Sequence, residues 1–305
     1  MLTSIHFLLT YACNFECDHC FLFSGPGAGG TFGIAELRAA LEGAAEIGTI
    51  DSVFFEGGEP MLYFPLLAEG LRIARRLGLK TGIVTNAYWA TSREDAGLWL
   101  QALNKAGLNS LTLSDDPLHY GDAAGVHAAR VQAAANELGI PADVICKQPP
   151  SVAAPYAPGT GPPRIAGGVK FRGRAARKLV EGLPRRPWDE LVTCPFDDLA
   201  APVRVHADCF GHLHLCQGVS MGNYQDRSMK RVVEEYDPAA HPVVGPLIRG
   251  GPAELARRYG VPHEDRYVDE CHMCFEMRLL LLKRFPGLLS PVQAYGVSPD
   301  SPEET

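Results

Sequence analysis

From Ser4 to Cys146 the chain alternates short β-rich runs with amphipathic helical stretches. Parallel neighbours need a helical crossover between them, so this rhythm points to repeated βα units around a parallel sheet. Ser4–Thr10 reads as the first strand, and the helix over 34–47 places Leu37, Leu41, Ala44 and Ala45 on one face. Ser52–Phe55 predicts a second strand running into Gly57-Gly58, Phe64–Leu77 a helix stopped by Gly78, and Lys80–Thr85 a third strand. Ser92 caps a helix that reaches Lys105. Strands over Ser110–Leu113, Ala142–Cys146 and Gly168–Phe171, with a helix over Asp122–Leu138, bring the units to six. Pro149–Gly168, rich in Pro, Gly and Ala, reads as a long loop of the kind that is functional or mobile in compact domains.

After Pro187 the alternation ends. Val203–Ala207 and His212–Leu215 alternate as a hairpin turning at Asp208–Gly211, and Arg278–Phe285 predicts a helix packed on the barrel. The expected fold is therefore α/β: a partial (β/α)6 TIM-like barrel over residues 1–190, a small hairpin-plus-helix domain over 191–297, and a fraying tail over 298–305. The net charge of -7 and pI near 5.8 argue against nucleic acid as a partner, since phosphate-tracking proteins need surplus Lys and Arg on one face. One segment, Lys170–Arg186, carries many basic residues against the single acid Glu181; it reads as a solvated helix face, with an anion-facing patch as the alternative. No signal-peptide pattern opens the chain, and apolar runs such as Leu279–Leu282 fall short of a membrane span, so a cytoplasmic protein is expected.

Parallel βα units place every strand C-terminus on one face, where the loops build the site. The first strand runs out into Cys13-x3-Cys17-x2-Cys20, three of the nine cysteines. A structural zinc wants four protein ligands, whereas a 4Fe–4S cube held by three thiolates keeps one iron open. His19 could complete a zinc site by composition, although chelation beside Cys20 is strained. Val84-Thr85-Asn86 and Leu113-Ser114-Asp115-Asp116 close the third and fourth strands with short polar side chains suited to hydroxyl groups. Asp116, His119 and Tyr120 follow a strand end and read as surface loop, with substrate contact as the sharper alternative.

Three cysteines with this spacing after a first strand resemble the signature of radical S-adenosylmethionine (SAM) enzymes. Gly57-Gly58-Glu59-Pro60 is similar to that family's GGEP segment, in which glycines admit close backbone approach and an acid suits the SAM ammonium. The resemblance implies a SAM-binding 4Fe–4S cluster on Cys13, Cys17 and Cys20, and SAM contacts from Phe15, His19, Gly57, Gly58, Glu59, Asn86, Ser114 and Asp115. It further implies reductive cleavage of SAM to a 5′-deoxyadenosyl radical, with flavodoxin or ferredoxin as electron donor. Lys170–Ala175 resembles the GRA segment of members that carry extra clusters.

The later cysteines resemble the auxiliary-cluster region called SPASM or, in shorter form, twitch. That likeness implies a second 4Fe–4S cluster on Cys194, Cys216, Cys271 and Cys274, with Cys209 either a turn residue or a substitute for one of them. Zinc fits the same spacing, and His206, His212 and His214 add candidate ligands. Cys146 reads as a small buried hydrophobe in its strand. The substrate is expected to be a small metabolite or a peptide. With strand one at the very start there is no room for a leader-binding domain, so a peptide would be brought by a separate delivery protein. A non-catalytic zinc or iron–sulfur scaffold is the rival outside enzymes.

Overall fold

The computed structural model describes residues 1–154 and 164–297. The middle of the 149–168 loop and the tail from Ser298 lie outside the described residues. Strand β1 (Ser4–Thr10), helix α1 (Ile34–Glu46), β2 (Ser52–Gly57), α2 (Phe64–Arg76), β3 (Lys80–Thr85), α3 (Arg93–Ala106) and β4 (Ser110–Ser114) follow one another as the alternation predicts. A short α4 (Pro117–Tyr120) comes next. Helix α5 (Val126–Glu137) begins after Gly125 at φ +90°, not at Asp122, and leads to β5 (Ala142–Ile145). Where an irregular loop was expected, β6 (Ser151–Ala153) and β7 (Arg164–Ala166) pair antiparallel. The remaining elements are α6 (Ala175–Lys178), β8 (Arg186–Pro187), β9 (Arg204–Asp208), β10 (His212–Cys216), β11 (Val219–Asn223), α7 (Met229–Glu234), α8 (Val244–Tyr259), β12 (Arg266–Tyr267) and α9 (Glu270–Leu280).

Local chemistry explains the boundaries. The Ser92 hydroxyl accepts the Asp95 N–H at 3.0 Å to start α3, and Gly107 at φ +119° stops it. Strand β1 is buried at every position after Ser4, the continuous burial of a strand covered on both faces. Phe55 lies against α1 and α2, where a Cβ on Gly70 would meet both its ring and Leu37. His6, Phe54 and Gly82 stand in one row across β1–β3, and Gly82 is needed there because a Cβ would come within 2.2 Å of the Phe54 ring.

One eight-stranded sheet runs β11-β10-β9-β1-β2-β3-β4-β5. The strands from β9 to β5 in that order are parallel, the arrangement of a partial TIM-like barrel. Its sixth parallel strand differs from the expected one. Residues 168–171 form no strand, because Gly167 and Gly168 sit at φ +105° and +71°, outside extended conformation. The sixth parallel strand is instead β9, which lies not beside β5 but on the other side of β1, pairing with it from Ser4↔Arg204 to Leu8↔Asp208 and so satisfying the backbone of the central strand on its second side. The boundary near residue 190 is thus one of sequence pattern; the sheet crosses it.

Helix α9 starts before the last cysteines, since the Asp269 carboxylate accepts the His272 N–H at 2.8 Å as N-cap. Cys271 and Cys274 therefore lie in its opening turns, and the helix ends at Leu280, short of Phe285. Cys146 is exposed just past β5, not buried within it. Among the described residues no helix is long and apolar enough to cross a membrane.

Candidate active site

The loop leaving β1 is held by its backbone: the Cys13 N–H reaches Gly25 O and the Cys20 N–H reaches Cys17 O, both at 3.1 Å. Arg174 clamps it from outside. Its N–H donates to Cys20 O at 2.8 Å and its guanidinium to Cys17 O at 2.5 Å and Ser24 O at 2.7 Å. Gly173 sits at φ +62°, and a Cβ there would lie 2.4 Å from Phe21 Cα. The glycine and arginine of the 172–175 segment thus exist to lie on the cysteine loop. This contact was not derivable from sequence; it takes Arg174 out of the solvated helix face, on which Arg177 and Lys178 remain exposed.

Burial pushes the Cys13 thiol up to about 11, against the Phe15 N–H that stabilises its thiolate. Burial and the neighbouring thiols push Cys17 up to about 12. Such thiols ionise only beside added positive charge, so this donor set fits a metal centre. The three cysteines wall a cavity of about 300 Å³, with Phe15 and His19 on the loop side and Gly57, Gly58, Asn86 and Ser114 at the strand ends.

The paired glycines have a local reason too. Cβ atoms on Gly57 and Gly58 would fall 2.3 Å from Thr10 O and 2.0 Å from Ala12 O. In their absence Gly58 N–H donates to Thr10 O at 2.7 Å and Glu59 N–H to Ala12 O at 2.9 Å, tying β2 to the cysteine loop.

Two expected SAM contacts point elsewhere. The Glu59 carboxylate is buried and accepts from Met61 N–H, Thr85 Oγ1 and Asn86 N–H at 2.8 to 3.0 Å, so it fixes the strand ends. Burial raises its pKa to about 7, against those hydrogen bonds. Asp115 accepts the Gly125 and Ala128 N–H groups at 2.8 and 2.7 Å, anchoring the start of α5. Asp116 lines the cavity in its stead and is fully buried, not on the surface. It caps α4 and holds His119 Nδ1 at 2.8 Å, and the Asp-Pro pair that opens α4 was the sequence signal for it. The His119 ring stands edge-on to His19, and both converge on Cys17 with ligand atoms within 4.8 Å.

A second thiol group gathers around Cys216 and Arg172. Burial, then Cys216, raises the Cys194 thiol; burial with Cys194 and Cys216 pushes Cys274 up to about 12, while Arg278 opposes. Cys271 is raised by burial, Asp269 and Cys216. Arg172 donates to Cys216 Sγ at 3.0 Å and to Asp197 Oδ2 at 2.8 Å, and also reaches the cavity wall. Cys209 stands apart: burial and Asp208 push it up to about 12, and its sulfur lies against Gly30. His214 Nε2 and Tyr11 OH both meet the buried Asp208 carboxylate at 2.9 Å.

The concave face of the sheet holds one cluster that sequence reasoning missed. Glu56 lines the cavity, and His206 Nε2 and His6 Nδ1 lie 2.9 and 3.3 Å from its two oxygens. Burial alone would push the Glu56 carboxyl up, but the two imidazoles hold it well below the usual carboxylate range.

Residues 7–116 match the profile of the Radical SAM superfamily. YydG of Bacillus subtilis (strain 168), assigned by its name to peptide biosynthesis, is 27% identical over 107 residues, which are 35% of this chain and 34% of that protein. The match thus spans about a third of that relative's length. Among solved structures, BtrN in complex with AdoMet and 2-DOIA has a TM-score of 0.48 at 13% identity, covering 76% of this chain and 82% of that one. Native anSMEcpe with bound AdoMet has a TM-score of 0.46 at 13% identity, covering 94% and 98%. The matched residues include the three-cysteine loop and the Gly57–Glu59 segment that is stitched to it, so over residues 7–116 the chain is similar to the radical SAM superfamily.

Proposed function

We propose that residues 1–190 form a radical SAM core, that residues 191–297 form an auxiliary-cluster region, and that the substrate is a peptide or a small metabolite. The observation that carries this reading is the set of three thiols, Cys13, Cys17 and Cys20, on the wall of one cavity. When bound, the cluster and SAM supply a one-electron cleavage whose 5′-deoxyadenosyl radical takes a hydrogen atom from the substrate. Cys13, Cys17 and Cys20 would hold the cluster as thiolates, a three-ligand set that would leave room for SAM. The polar groups of Asn86 and Ser114, with Phe15 and His19, stand where they would orient SAM along the strand ends. Lys147, Lys170 and Arg172 also line the cavity and bring positive charge suited to a carboxylate.

Cys194, Cys216, Cys271 and Cys274 are the proposed ligands of the second cluster, with zinc as the alternative ion. Arg172 and Arg278 face these sulfurs and would offset thiolate charge. A peptide substrate is favoured by the name of the Bacillus relative. An electron donor such as flavodoxin or ferredoxin and a reducing cytosol complete the proposal, and all nine cysteines are free thiols.

A second reading has an observation of its own: Cys17, His19 and His119 converge closely enough to hold zinc. Anaerobic reconstitution separates the two. About eight irons per chain, with 5′-deoxyadenosine released from SAM and dithionite, supports two clusters. Stoichiometric zinc and no nucleoside supports the scaffold. Cys194→Ala should retain SAM cleavage and about four irons per chain, losing only conversion of substrate; loss of cleavage as well would count against two separable clusters.

A further inference from the structure

We infer that His6, Glu56 and His206 form a mononuclear site for a divalent transition-metal ion of the zinc class on the concave face of the sheet. The three residues come from neighbouring parallel strands, β1, β2 and β9, and the register sets His6 opposite His206 and Glu56 beside Leu8, one pleat further along. Side chains alternate along a strand, so all three project to the same face. Their ligand atoms lie within 4.8 Å of one another, and the side chains are 11%, 13% and 10% exposed.

The contacts are short but do not have the directions of hydrogen bonds. His6 Nδ1 and Glu56 Oε1 are buried without a hydrogen-bond partner, although each lies 3.3 Å or less from an atom of the cluster. Lone pairs that converge at such distances without pairing are the arrangement a shared cation satisfies. Two imidazoles and one carboxylate are also a donor set that binds zinc and its neighbours while keeping coordination positions open. The ring of His6 is stacked on Phe54 at 4.6 Å, and Gly82 makes room for Phe54, so the ligand is oriented by packing. Glu56 belongs to the cavity wall, so the open side of the ion faces the cavity, where it would take a water or an oxygen donor. No thiol takes part, and the site stands whether or not the cysteines hold iron.

Cobalt(II) is the probe. The cluster-loaded protein, stripped of loosely held metal under anaerobic conditions, should bind one cobalt per chain, with ligand-field absorption and no thiolate-to-cobalt charge transfer. Glu56→Gln and His206→Gln should each weaken binding by more than about 100-fold while iron content and near-ultraviolet circular dichroism stay as in the parent. Cys17→Ser should leave cobalt binding intact. If cobalt binding survives both substitutions on the sheet, or disappears with Cys17→Ser, the inference is overturned and the ion sits with Cys17, His19 and His119. No cobalt uptake by the parent overturns it as well, leaving a proton-sharing triad. Should the sheet variants not fold, X-ray absorption at the cobalt edge of the parent decides: imidazole and oxygen scattering supports the site, and sulfur scattering sinks it.

Discussion

Glu59 shows what one buried carboxylate does at the mouth of a barrel. It receives three hydrogen bonds from the ends of β2 and β3, yet burial still raises its pKa to about 7. A carboxyl with a raised folded pKa holds its proton more tightly folded than unfolded. Stability is therefore highest on the acid side and declines as pH rises from the unfolded value towards about 7. Glu59→Gln does not titrate, and its amide sets one N–H against a backbone donor at a cost of about 1–3 kcal/mol. Denaturant titrations should find the parent more stable than the variant at acid pH, with the difference changing by on the order of 3 kcal/mol by pH 8, enough to close or reverse it. A gap that is flat or widens with pH would show that Glu59 is already ionised in the acid range.

At the scale of elements, the cysteine loop has no regular secondary structure and relies on its neighbours. The end of β2 grips it through Gly57 and Gly58, and the 172–175 segment grips it through Gly173 and Arg174. At Gly173 both the positive φ and the 2.4 Å approach to Phe21 Cα exclude a side chain. Gly173→Ala is expected to destabilise the protein by about 1–3 kcal/mol. Iron retained per chain after anaerobic desalting should fall along with it, because the displaced backbone is that of Cys20 and Phe21. Unchanged iron retention would mean that the clamp is not needed to place the thiols.

For the molecule as a whole, the decisive fact is that β9 completes the hydrogen bonding of β1. The cysteine-rich C-terminal portion is therefore part of the sheet that carries the first cysteine loop. A chain ended after residue 190 would leave the edge of β1 unpaired, together with buried apolar positions such as Ile5 and Phe7 that β9 and its neighbours help cover. That fragment should lack a cooperative thermal transition by near-ultraviolet circular dichroism and should aggregate. A fragment that melts cooperatively would show instead that the core folds alone.

Sequence by itself determined whatever depends on neighbours along the chain. The alternation from β1 to β5 is legible because amphipathic period is local, and the Cys13-Cys17-Cys20 spacing is legible because one loop carries all three thiols. Ser92 and Gly107 announce the ends of α3 for the same reason. Tertiary structure alone decided which distant segments meet. It set Arg204–Asp208 against β1, gathered Cys194 and Cys216 with Cys271 and Cys274, turned Glu59 and Asp115 away from the cavity, and placed His6, Glu56 and His206 together. Pairing across such separations is chosen by the burial and backbone hydrogen bonding of the whole sheet, and no local pattern records that choice.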